Sequence, residues 1–171
     1  MPITPLHFGP AAVVKAIAPR HFSFTMFVFT NIVIDVEPLF FMATGDWPIH
    51  RFFHTYLGAT IAAVACFFAG RPVCAWAIRL WNSRLSEAQA RWLRVEPRIE
   101  ALPAAAGALI GGWSHVLLDS LMHSDMEPLA PFVAGSGMTN LVSIDQLQLF
   151  CALAGALGVA VMLVVAVLRR K

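Results

Sequence analysis

The chain has 171 residues, 58% of them hydrophobic and 13% charged, with a net charge of +2 and a mean hydropathy of +0.71. A soluble domain carries about a quarter charged residues and a disordered chain is poor in apolar ones, so both classes are excluded. The near-neutral balance, with no basic stripe among aromatics, also argues against a nucleic-acid partner.

What remains is an all-α polytopic membrane bundle, and roughly 170 residues fill one domain, 1–171. The N-terminal MPITPLHFGP has no basic region ahead of an apolar core, so a cleaved signal peptide is not expected. A short apolar helix is expected from Pro10 to Ala18, stopped by Pro19. A membrane helix needs about 20 mostly apolar residues. The first such segment is 22–41, broken only by Asp35 and Glu37, with Pro38 expected to kink or end it. The second is 48–70, charge-free after Arg51, with Pro48 in its first turn. Residues 71–98 carry Arg71, Arg79, Arg84, Arg91, Arg94 and Arg98 among Trp76, Trp81 and Trp92, the mixture of an interfacial amphipathic helix. The third span is 101–123, where Gly107 and Gly111 allow close helix packing, either inside the bundle or between two copies as a homo-oligomer. Ser124 to Ser143 is a Pro-, Gly- and Ser-rich loop, either a gate or a connector. The fourth span is 146–168. Cys66, Cys74 and Cys151 lack metal or disulfide spacing and are expected as buried thiols.

Charge fixes the expected orientation. Lys15 and Arg20, the six arginines of 71–98, and Arg169, Arg170 and Lys171 all fall on one side of a four-span chain, and only Arg51 falls on the other. The positive-inside rule makes that side cytoplasmic, with both ends inside.

The ionisable groups gather at the opposite end. With about 1.5 Å of rise per residue, Asp35, His54, His115 and Asp119 each lie about 6–12 Å below the outer ends of their spans. His50 and His54 are four apart, and His115, Asp119 and His123 form HxxxDxxxH, each set expected on one helix face. Convergent ligands on facing helices build bundle metal sites, and imidazole with carboxylate suits Zn, Mn or Fe. The number of ligands suffices for one or two ions, and two-metal sites serve phosphoester displacement. His50 and His123 are either ligands or interfacial caps. Asp125 and Glu127 are either site residues or solvated loop residues. Arg51 has three readings: a substrate phosphate, a pair with Asp46, or lipid headgroups.

The stretches LHFGP, NIVIDVEPL, HRFFHTYLG and HVLLDSLMHSDMEPLAPF resemble the motifs of the bacterial predicted membrane-bound metal-dependent hydrolases, the YdjM-like, LexA-regulated inner-membrane proteins. The resemblance covers the chain up to about Phe132, and its matched positions are His7, Asp35, the His50/His54 pair, His115 and Asp119. VIDVEP and the order Phe53-His54-Thr55 depart from the family's pattern. The HxxxD is also faintly similar to that of the zinc-dependent phospholipase C and P1 nuclease group. These likenesses imply a bacterial inner membrane, a metal-dependent hydrolase and phosphoester chemistry, and they alone add His7 as a ligand. His7 would reach the site only if Pro10 to Ala18 entered from outside, which would make Lys15 and Arg20 uncomfortable.

The expected function is hydrolysis of a lipid or lipid-linked phosphoester by metal-activated water at the periplasmic face. Zn is the first choice of divalent metal, and Glu37 or Asp125 is the general base. The alternatives are a non-enzymatic metal carrier or sensor, a bis-histidine haem protein, and a structural membrane protein with a vestigial site.

Overall fold

The computed structural model describes residues 5–135, 137–139 and 141–168. It is all-helical, with no strand among the described residues. The helices are α1 (Gly9–Ile17), α2 (Phe24–Thr44), α3 (Tyr56–Ala65), α4 (Arg71–Ser83), α5 (Glu87–Leu93), α6 (Ala101–Met122) and α7 (Ile144–Leu168). A π-helical turn, Cys66–Gly70, joins α3 to α4 without interruption. Four helical stretches are long and apolar enough to cross a membrane: Phe24–Thr44, Tyr56–Ser83, Ala101–Met122 and Ile144–Leu168.

Local signals set the boundaries. Ser23 caps α2 by accepting from the Met26 N–H, and Gly45, with φ of 76°, ends it in the left-handed conformation. Pro38 stands inside α2 rather than ending it, and the helix continues to Thr44. The second span begins later than the apolar run suggests. Thr55 caps α3 by accepting from the Gly58 N–H, so Pro48 and His50 lie in a non-helical approach and His54 in a 3-10 turn, Phe52–His54. Residues 71–98 are not one interfacial helix. The span's helix runs on through Ser83, and only α5, opened by a Ser86/Gln89 capping box, is separate.

The core is a three-helix unit of α2, α3 and α6, packed through small residues. A Cβ on Gly107 would stand 2.3 Å from the Ser23 carbonyl oxygen, and one on Gly111 would stand 2.8 Å from that of Phe27. Of the two roles expected for Gly107 and Gly111, the internal one is seen: both approach the backbone of α2 and the residue that caps it. Above that seam, Ile34, Ala59, Ala62, Val116 and Met126 form the apolar layer nearest the polar end. Cys66, Cys74 and Cys151 are buried free thiols.

α7 lies outside this unit and packs chiefly on α1. Leu149, Phe150, Leu153 and Leu157 remain on its exposed face. The apolar stretch Leu6–Ile17 begins at the polar end of the bundle and descends. Over about 18 Å of rise it crosses roughly half the membrane. Its lower end meets the basic end of the bundle, where Lys15 donates to the carbonyls of Pro19 and Phe22. Lys15 and Arg20 thus lie at the basic end with Arg94 and Arg98, as expected, and the correction is confined to the residues before them: the helix enters from the polar end, where His7 stands. The basic C-terminal tripeptide at 169–171 lies outside the described residues.

Candidate metal centre

The buried polar side chains are concentrated at one end of the bundle. α6 presents His115 and Asp119 one turn apart, α2 presents Asp35, and the turn before α3 presents His54. Each offers one ligand atom, and these atoms all lie within 4.8 Å of one another, every residue being buried. His115 Nε2 is 3.2 Å from Asp119 Oδ2, 3.3 Å from His54 Nε2 and 3.4 Å from Asp35 Oδ1. His7 comes from the turn Pro5–Phe8 and places Nε2 3.6 Å from Asp119 Oδ1, the other oxygen of that carboxylate. His7 Nε2 is buried and has no hydrogen-bond partner.

The outer nitrogens of the histidines decide what the inner ones present. Asn31 donates its amide to the carbonyls of Phe27 and Gly111, at 2.8 and 3.3 Å, which leaves its Oδ1 as acceptor 2.9 Å from His115 Nδ1. The Glu37 carboxylate accepts from the backbone N–H of Arg51 and Phe53 and meets His54 Nδ1 at 3.1 Å. The Asp125 carboxylate meets His50 Nδ1 at 2.9 Å and accepts from the backbone N–H of Ile49 and His50. Three rings therefore donate through Nδ1 to a fixed acceptor, which leaves each Nε2 with its lone pair. At the deep group two such lone pairs face each other beside two carboxylate oxygens. That is an acceptor-only set, and a cation is what it fits.

His50 and His54 do not share a helix face. Their rings still meet, with centroids 4.8 Å apart, because Glu37 and Asp125 hold the backbone of residues 49–53 across the mouth of the bundle. His123 departs from the HxxxDxxxH register because α6 ends at Met122. Its extended backbone turns the ring onto His50, at 4.3 Å between centroids. His50, His123 and Asp125 thus form a second, outer group with ligand-bearing atoms within 4.8 Å of one another. Beside it opens a cleft of about 520 Å³, bordered by His50, Arg51, Phe52, Asp125, Met126 and Glu127. Arg51 donates through Nε to the Pro48 carbonyl and lays its guanidinium over the Phe41 ring, 3.6 Å from the centroid. Asp46 accepts from the Thr44 hydroxyl instead of pairing with Arg51.

Over residues 1–171 the sequence matches the family described as Domain of unknown function (DUF4184). The chain belongs to that family. No curated protein and no solved structure matches it. The family's description assigns no activity, so the chemistry of this member rests on its own residues.

Those residues are prepared to bind. Burial holds His7 and His123 below the ordinary histidine range, and it does the same to His54 against the opposing pull of Glu37. Burial pushes the Asp125 carboxyl up, but the His50 ring and the two backbone N–H groups outweigh it and hold the carboxyl below its usual range. Neutral imidazoles and ionised carboxylates are the forms a metal requires. Sequence reasoning passed over Asn31. Its one signal was position, a turn before Asp35 on the same helix.

Proposed function

We propose that the chain is a membrane-bound metal-dependent hydrolase of the YdjM-like type, cleaving a phosphoester on a lipid or lipid-linked substrate. The observation that carries this reading is the shared arrangement of His50, His54 and His115, each donating through Nδ1 and presenting Nε2. A core histidine also needs an acceptor for its N–H, but here the other nitrogens of His54 and His115 face only each other and carboxylate oxygens, with no donor between them. Asp35, His54, His115 and Asp119 would hold the first ion, Zn by preference, with His7 joining from the side of Asp119. His50, His123 and Asp125 offer a second position nearer the cleft. A divalent ion supplies Lewis acidity to a phosphoryl oxygen and acidifies water. Of the two candidate bases, Asp125 borders the cleft, so its carboxylate is placed to take a proton from attacking water. Glu37 is a positioning residue for His54. Phe52 and Leu57 line the cleft and are also exposed on the bundle's side, so a substrate tail has a lateral way in. The positive-inside rule, applied to the basic end, puts the site at the periplasmic face of the inner membrane.

The test is elemental analysis of the purified protein beside His115→Ala, with hydrolysis of generic phosphodiesters measured in parallel. The expected result is bound metal and activity in the parent and loss of both in the variant. An active parent free of metal after purification without chelators would overturn the reading. Bound metal without hydrolysis would favour the second reading, a non-enzymatic metal-binding membrane protein, which the complete burial of the deep group supports. A bis-histidine haem is disfavoured. His54 and His115 Nε2 are 3.3 Å apart with Asp35 and Asp119 at the same point, which leaves no room for a porphyrin.

A further inference from the structure

At the end of the bundle opposite the metal centre, a second groove of about 510 Å³ runs between α4 and the extended segment 97–99. Arg71, Ala75 and Arg79 line it from one face of α4, at intervals of four. Arg98 and Ile99 form the facing wall, Phe67 and Phe68 the floor, and no acidic residue lines it. Arg71 donates through Nε and Nη2 to the Ile99 carbonyl at 3.3 and 3.0 Å, which braces the groove rather than neutralising its charge. Arg98 is partly offset by Glu100, at 2.7 Å. Arg79 is exposed, and Phe68 is 72% exposed although it lies within a membrane-spanning helix.

Depth separates two sources of anion. From Tyr56 the helix rises about 18 Å to Phe68, about 22 Å to Arg71 and about 35 Å to Arg79, against a hydrocarbon layer of about 30 Å. With Tyr56 set at the outer boundary, Phe68 therefore lies at acyl depth, Arg71 about 8 Å inside the inner boundary, from where its side chain can snorkel toward the ester region, and Arg79 among the headgroups. A free anion would need only the arginines. A floor of exposed phenylalanines descending from them matches a molecule with a charged head and a hydrocarbon tail.

We propose that this groove binds a glycerophospholipid with an anionic headgroup. Its phosphate sits between Arg79 and Arg98, its glycerol ester region lies beside Arg71, and an acyl chain runs over Phe67 and Phe68. The site is independent of the metal centre and of the hydrolase reading.

The experiment uses the full chain in mild detergent, titrated with phosphatidylglycerol or phosphatidylcholine and read by intact-protein mass spectrometry. Phosphatidylglycerol is expected to bind more tightly, and Arg79→Gln to weaken it about fivefold, the worth of one interfacial arginine. Arg84→Gln removes a neighbouring charge outside the groove and should leave binding unchanged. Both positions are exposed, so neither variant disturbs the fold. Equal binding of the two lipids would overturn the proposal. So would an Arg84→Gln loss as large as that of Arg79→Gln, which would mean diffuse charge attraction. Displacement of the lipid by millimolar inorganic phosphate would also overturn it, because the ligand would then be free phosphate.

Discussion

A histidine becomes a ligand through the atom it does not offer to the metal. Asn31 shows this most plainly. Its amide is held by two carbonyls, so its oxygen is committed to His115 Nδ1. Asn31→Ala would leave that Nδ1 buried without an acceptor and release the ring's tautomer. Metal affinity should fall about 10–100-fold, the usual cost of losing an orienting partner, while the four ligands remain. Competition with a chromophoric chelator measures it, and unchanged affinity would remove Asn31 from the site. The residues of the deep buried cluster were legible in the sequence. Asp35, His115 and Asp119 are costly in a membrane span, and HxxxD places the last two on one face. Asn31 was not legible, because an uncharged amide in a span has packing roles as common as this one. The exact partners of Glu37 were hidden for another reason: they are backbone N–H groups of a loop whose path no periodicity describes.

At the scale of elements, the reading from sequence failed where apolar runs and helices part company. Residues 48–55 are apolar enough to extend a span, yet two carboxylates draw their backbone N–H groups into a loop and Thr55 restarts the helix. The site gains by this, since the loop brings His50 and His54 together without helical register. The short helix expected at Pro10 to Ala18 is present as α1, and only its placement escaped the sequence: too short for a span, it gave no sign that the turn before it reaches the polar end. It is anchored by α7. A Cβ on Gly158 would stand 2.4 Å from the Ala12 carbonyl carbon, so only glycine permits the approach. Because the turn before α1 carries His7 to the centre, Gly158→Leu should weaken metal binding although α7 contributes no residue to the cluster among the described residues. The expected loss matches that of His7→Ala, and the double variant should cost no more than either single change. Additive losses would show that α7 does not act through His7.

Considered whole, the molecule joins four pieces of chain at one point: α2, the turn before α3, α6 and the turn before α1. Below that point the core is thin, built on alanine, glycine and a few large side chains. A ligand that binds only the folded state stabilises it by mass action, about 2.7 kcal/mol when free metal is a hundred times its dissociation constant. Chelation should therefore lower the thermal midpoint in detergent by several degrees, and His115→Ala should start low and not respond. The effect carries a sign in pH. His7, His54 and His123 are held below the ordinary range, whereas the unfolded chain takes up those protons as pH falls through about 6.5. The unfolded state then binds more protons, so stability is full above that pH and declines below it. Protons also compete for the same nitrogens as the metal. The gap between metal-loaded and chelated midpoints should thus be widest near pH 7.5 and close as the solution is acidified. A gap that widened toward acid would mean that the bound group is held by carboxylates alone, without the histidines.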